Sequence, residues 1–251
     1  MIECDLGIAN IHNLASFWAS CGVEQNLGSS AVTFSRSTLW PGRLWFEYEA
    51  TPSALDAESA LELLARNTKD GLLPIWNMGS DEYRDRLIRA GYEVQLEQVA
   101  MAMALDRDSI DLTSSKDDSH FDFITIDSEP GIRAWTEAAS RAFGYPIDEA
   151  SIARSFKDPH CVLVAALRDG KMVGTGLRFD TDMVAGFHMV GVDSSNRRQG
   201  LAKKIMHYML GQALEDGVQF STLQASQAGE SLYLKLGYKR QFVIQTLGRA
   251  H

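Results

Sequence analysis

The stretch Gly191 to Ala202, GVDSSNRRQGLA, constrains this chain more than any other. It follows an apolar run, Met183 to Val190, and enters an amphipathic helix pattern, Leu201 to Glu215. A strand, a basic loop with a glycine and a helix start make, in that order, an anion site. The first N–H groups of a helix have no partners within it, and the helix dipole favours negative charge there. Gly200 has no Cβ, so a phosphate oxygen can approach its backbone closely. Arg197 and Arg198 add positive charge at the mouth.

The spacing Arg197-x-x-Gly200-x-Ala202 is neither the Walker pattern nor the dinucleotide fingerprint. It resembles the Arg/Gln-x-x-Gly-x-Gly/Ala signature of the GCN5-related N-acetyltransferases (the GNAT superfamily), which holds the pyrophosphate of acetyl-CoA. A second stretch, Leu223 to Tyr238, reads LQASQAGESLYLKLGY. It is similar to the family's segment Asn/Ser-x-x-Ala/Gly-x-x-x-Tyr-x-x-x-Gly-Phe/Tyr, with Ser226, Gly229, Tyr233, Gly237 and Tyr238 at the matching positions.

Periodicity and turn residues predict the elements around these motifs. Phe121 to Ile126 reads as a strand, and Glu129 to Phe143 and Ile147 to Phe156 as helices. Cys161 to Leu167 and Lys171 to Phe179 read as a hairpin around Asp169-Gly170. Met183 to Val192 is a strand, Leu201 to Glu215 a helix and Phe220 to Ala225 a strand. Ala228 to Leu236 is a helix stopped by Gly237, and Lys239 to Leu247 is the last strand. The order β-α-α-β-β-β-α-β-α-β is the GNAT order, an α/β chain with a mixed α+β sheet.

The first half has a related rhythm. Asn10 to Ala19 reads as a short helix, Ala31 to Ser37 and Leu44 to Tyr48 as strands, and Ser53 to Asn67 as a helix with one apolar stripe. Leu72 to Trp76 is a short strand, a helix follows Ser80, and Glu93 to Leu105 is a long strand. Displaced by 146 residues, Gly71, Ser80, Gly91, Tyr92 and Gln95 fall on Gly217, Ser226, Gly237, Tyr238 and Gln241. That suggests one unit used twice. The first copy has Thr51 to Leu55, TPSAL, where the second has the arginine loop, and Leu87 in place of Tyr233. The expected organisation is two tandem GNAT-like domains. Residues 1–115 would lack the cofactor motif and 120–251 would carry it, with the polar run 106–120 as linker.

The resemblance implies an N-acetyltransferase that uses acetyl-CoA. Val190, Gly191 and Val192 would pair with the pantetheine arm. Arg197, Arg198, Gln199, Gly200, Leu201 and Ala202 would hold the diphosphate, with Ser226 beside the arm. Tyr233 would be the general acid, since a phenol stays protonated at neutral pH and can supply a proton to a leaving thiolate. Some family members carry a Glu base on the strand before the loop, where this chain has Gly186. His188, on the same strand face, is the candidate base, with a water relay, Asp180 or Asp182 as alternatives. Transfer of a longer acyl group and a non-catalytic CoA-binding role fit the same motifs.

Composition narrows the partners. Lys and Arg number 8 against 17 Asp and Glu in the first 115 residues, and 16 of each type follow, for a net charge of −9. Phosphate contacts of nucleic acid need clustered cations, which an acidic chain lacks. The expected acceptor is a small-molecule amine. No apolar run is long enough to span a bilayer, and no leader-like segment opens the chain. Cys4, Cys21 and Cys161 fit neither a disulfide framework nor a metal site. The expectation is a cytoplasmic monomer or homodimer without a metal.

Overall fold

A computed structural model describes residues 5–27, 33–37, 39–46, 54–65, 71–76, 81–106 and 120–250. The Gly144 helix stop and the Asp169-Gly170 turn do what their residue types require. Helix α4 (Glu129–Phe143) ends at Gly144 with φ +78°. Asp169 and Gly170 take φ +51° and +74° between β7 (Cys161–Arg168) and β8 (Lys171–Thr181), the left-handed pair of a tight hairpin. Between α4 and β7, helix α5 (Glu149–Phe156) starts at Asp148, which accepts from the Ser151 N–H. The rest of the second half is β6 (Asp122–Thr125), β9 (Val184–Val192), α6 (Leu201–Glu215), β10 (Phe220–Ser226), α7 (Glu230–Lys235) and β11 (Lys239–Arg249).

The first half forms α1 (Leu6–Ser20), β1 (Val23–Leu27), β2 (Phe34–Ser37), β3 (Leu44–Phe46), α2 (Ala54–Ala65), β4 (Leu73–Trp76), α3 (Asp81–Arg89) and β5 (Tyr92–Ala104). Strand β1 is absent from the sequence reading, because VEQNL has no clear alternation. The segment TPSAL lies largely outside the described residues, and the linker lies almost wholly outside them.

Eight strands make one sheet in the order β4-β11-β5-β10-β9-β8-β7-β6. Only β9 and β10 run parallel. The two halves therefore do not form separate sheets: each gives its last strand to the other, with β5 between β10 and β11, and β11 between β4 and β5. The β5–β11 ladder is symmetric about the pair Ile244↔Gln98. Val243↔Val99 on one side answers Gln245↔Glu97 on the other, and Arg240↔Met101 answers Leu247↔Val94. Even the two bulges correspond, one at Gln241 and one at Gln95. The 146-residue spacing also holds at Gly91 and Gly237, which take φ +89° and +98° before these strands, and fails further back. Trp76 stands opposite Ile244 as Ser226 stands opposite Gln98, so Trp76 takes the place of Ser226, while Ser80 lies outside the described residues. The match of Gly71 with Gly217 falls with it.

Alternation along β7 sends Leu163 and Ala165 to one face and Val164 and Ala166 to the other. The first face packs with Trp135 of α4, Ile152 of α5 and Ile11 and Phe17 of α1. The second packs under Ile205, Met206, Met209 and Leu210 of α6. Helix α1, from the first half, thus lies on the sheet of the second. Its Asn10 and Asn13 are fully buried, and both are hydrogen-bonded. Among the described residues no helix is long and apolar enough to cross a membrane, and no cluster of three His, Cys, Asp or Glu could hold a metal ion.

Candidate active site

Strands β9 and β10 begin as parallel neighbours and then part. Their pairing runs from Val184 and Phe220 to Phe187 and Leu223 and stops there. Strand β9 continues to Val192 and β10 to Ser226. A bulge helps to open the gap: between Leu177↔His188 and Thr175↔Gly191 the register with β8 shifts, and Met189 takes φ +53°. Backbone groups from His188 onward thus lose their β10 partners, and buried main-chain N–H and C=O groups require partners. An extended ligand arm would supply them as an added strand.

The loop after β9 is built for an anion, though not by every residue expected. Gly200 has φ +75°, and no atom lies within 4 Å of where a Cβ would stand. Arg198 takes φ +61°. No side chain caps the α6 N-terminus, so its first amides remain open to a ligand. Leu201 is buried in the core and Ala202 carries only a methyl, so these two offer amides alone. The Arg197 guanidinium instead ties the loop to α4, donating to the carbonyls of Val192 (3.1 Å) and Ala142 (2.8 Å). Gln199 accepts from Arg168 (3.2 Å) and lies on the surface. A Cβ on Gly191 would stand 2.9 Å from Ala142 and Phe143, so this glycine serves the close approach of α4. With Gly200 changed to Val, the positive φ becomes strained by about 1–3 kcal/mol and the anion loses close access. We expect CoA affinity to fall at least about tenfold in a titration, with Tm lower by about 2–10 °C from the strain.

Below the gap lies a cavity of about 500 Å³. His188, Met189, Val190, Gln224, Ser226 and Tyr233 line it from the second half, and Trp18, Trp40, Pro41, Arg43 and Leu72 from the first. Tyr233 of α7 packs edge-on against Tyr238, ring centroids 6.0 Å apart. Its hydroxyl has no hydrogen-bond partner among the described residues. Burial pushes the phenol up to about 12, so it holds its proton at neutral pH. Ser226 also accepts from the Gly229 N–H at 3.3 Å and fixes the entry to α7.

His188 is placed differently from a base. It is buried, stacked on Phe17 at 4.6 Å, with Nε2 2.9 Å from Oδ1 of Asn13. The Asn13 amide nitrogen already donates to the Phe179 carbonyl (2.8 Å) and the Thr181 hydroxyl (2.9 Å). Its oxygen therefore faces the ring, and the His188 proton sits on Nε2. Burial lowers the imidazole to about 3. A group that weakly basic is ill suited to take a proton from an amine at neutral pH. Asp180 is held in a two-pronged ion pair by Arg178, at 2.8 and 2.6 Å, and does not line the cavity.

These values set a sign for pH dependence. The unfolded imidazole takes a proton near 6.5 and the folded one near 3. Between them the unfolded state binds more protons, so the stabilising share of neutral His188 is lost as pH falls through that window. His188→Gln keeps a donor for Asn13 and removes the titration. Its stability, measured by urea unfolding, should fall less steeply from pH 6.5 to 4 than that of the parent. Its kcat should stay within about tenfold, with an unchanged pH profile. A loss beyond a hundredfold would restore the base role.

Asn13, Asn10 and Arg43 escape the sequence motifs. The available signal is two asparagines, three residues apart, on an otherwise apolar helix face.

An acetyltransferase (GNAT) domain model matches residues 116–245. Solved structures share the whole fold. A GCN5-related N-acetyltransferase from Kribbella flavida aligns over 100% of this chain and 96% of its own, at 18% identity and TM-score 0.73. A GCN5-related N-acetyltransferase-like protein from Streptococcus suis 89/1591 aligns over 98% and 99%, at 14% identity and TM-score 0.64. One from Sphaerobacter thermophilus aligns over 88% and 77%, at 18% identity and TM-score 0.63. No curated protein sequence gives a significant match. With the parted strands, the glycine loop and more than half of the chain under one model, this chain belongs to the GNAT acetyltransferases.

Proposed function

We propose that the protein transfers the acetyl group of acetyl-CoA to the primary amine of a small molecule by direct attack, with Tyr233 as general acid. The observation that carries this reading is the unpartnered Tyr233 hydroxyl in the cavity that opens from the β9–β10 gap. The gap fits the pantetheine arm, because the backbone of Val190 and its neighbours has lost its strand partner there. The loop fits the diphosphate through the amides of Arg198 to Ala202. Bound acetyl-CoA supplies an acetyl thioester, whose C–S bond is replaced by a C–N bond to the amine. A backbone N–H at the parted end of β9 polarises the acetyl oxygen. Tyr233 gives its proton to the departing sulfur, and the proton that the amine nitrogen sheds as the amide forms restores the phenol through solvent. No Asp or Glu among the described residues lines the cavity, so the amine reaches it deprotonated. The apolar walls assist, since desolvation disfavours an ammonium. Consequently kcat/KM should climb with pH along the titration of the free amine.

We also propose that residues 1–115 and 120–251 are two copies of one unit, only the second retaining the cofactor loop. The symmetric ladder about Ile244↔Gln98 supports this. The first copy supplies the far wall of the cavity through Trp18, Trp40 and Arg43.

A thiol-release assay with acetyl-CoA and a panel of amines tests the transfer. Turnover with at least one amine supports it. Tight CoA binding without turnover on any amine would make the protein a CoA-binding module instead.

A further inference from the structure

Arg43 has no part in acetyl transfer, yet among the described residues it is the one charged side chain in the cavity wall, His188 being neutral. It stands just before β3, where its backbone bridges Leu72 of the first half. Its guanidinium lies 5.0 Å from the centroid of the Trp18 ring. Nη1 donates to the Thr246 hydroxyl at 3.3 Å, while Nε is shut from solvent without a partner. No carboxylate among the described residues pairs with it. Other arginines are paired: Arg36 with Glu24, Arg86 with Glu58, and Arg178 with Asp180 and Asp216. Burial lowers the Arg43 guanidinium to about 10, so it is still a cation at neutral pH. An unpaired cation among indoles costs free energy that an incoming anion would offset.

Resting on the acetyl-transfer reading above, we infer that the acceptor is a primary amine that also bears a carboxylate. Arg43 holds the carboxylate, and an apolar or aromatic side chain lies against Trp18 and Trp40. A guanidinium matches the planar carboxylate better than it matches a neutral group. Aromatic rings connect the lining from the second half to that from the first. Phe17 stacks on His188 at 4.6 Å and meets Trp40 edge-on at 6.2 Å. A molecule laid along those rings has its acid at Arg43 and its amine toward Tyr233. In solution it is a zwitterion, neutral overall, which the chain's net charge of −9 does not repel; once the ammonium proton is lost, the single negative charge that remains meets the Arg43 cation.

The test pairs amino acids with their decarboxylated amines in the thiol-release assay: phenylalanine against phenethylamine, and tryptophan against tryptamine. The parent protein should favour the acids by about 10- to 100-fold in kcat/KM. Arg43→Gln should abolish that preference by raising KM for the acids, leaving kcat and the simple amines within about threefold. Arg43→Lys should retain part of the preference. Preference of the parent for the simple amines, or an equal loss for both classes in Arg43→Gln, overturns the inference while acetyl transfer stands. If acetyl-CoA binds but no amine turns over, the transfer reading fails instead. Calorimetry of the CoA-loaded protein then decides the role of Arg43. Phenylalanine binding that is lost in Arg43→Gln upholds it, and binding that does not distinguish phenylalanine from phenethylamine overturns it.

Discussion

Replacing Tyr233 with Phe is expected to lower kcat by about 10²–10³-fold while leaving the Kd for CoA within about twofold. The change removes one oxygen and keeps the ring, so the contact with Tyr238 and the place in α7 persist. The hydroxyl has no hydrogen bond to lose within the described chain, so stability should hardly change. What disappears is the proton for the leaving sulfur. The loss therefore falls on the transition state alone, and kcat and kcat/KM should drop together. The phenol stays protonated up to about pH 12. No alkaline limb should thus appear in the parent profile as the amine deprotonates between pH 7 and 10. Full activity in the Phe variant would remove Tyr233 from the chemistry, and a decline near pH 8 in the parent that is absent from the Phe variant would mean that the phenol gives up its proton far more readily than its burial requires. Single-turnover kinetics and CoA titration on the two proteins decide it.

How much of this was readable beforehand depends on range along the chain. Helices α4 and α6 were legible to their ends, because a glycine stop or a glycine start brackets each apolar stripe. The Asp169-Gly170 hairpin and the Gly200 bend were legible because their backbone demands are local. Strand β1 was not, since its polar run lacks a period of two. The strand exchange was also hidden. Its partners lie about 150 residues apart, and nothing in β5 itself names β11 as its neighbour. The site divides in the same way. Tyr233 and the loop follow from short motifs, and Arg197 shows their limit: the motif gives the residue but not that its fork ties down two backbone carbonyls. Arg43 lines the cavity beside Thr246, and Asn13 meets His188, only because segments of one half fold onto strands of the other.

Gly186→Ala should be the most damaging single-methyl change in the protein, with a loss of about 3–5 kcal/mol. The added Cβ would stand 1.6 Å from the Asn13 oxygen and 2.7 Å from Nε2 of His188. Neither neighbour can yield cheaply. Asn13 is anchored to Phe179 and Thr181, and His188 is stacked under Phe17. Moving the Asn13 side chain breaks its bonds to β8 and strands the His188 donor in an apolar site. The same geometry explains why no acidic side chain is available here. Position 186 is a glycine, and an amide from α1 fills the space above it. A double-mutant cycle tests this directly. Asn13→Ala alone should cost about 1–3 kcal/mol through the unpaired His188 N–H. Combined with Gly186→Ala, it should cost about 1–3 kcal/mol less than the sum of the two, because the clash with Asn13 has gone and only the crowding by Nε2 of His188 is left. Urea unfolding of the four proteins measures the coupling. Additive losses would mean that Asn13 does not occupy the space over Gly186, and that the empty place on β9 must be explained another way.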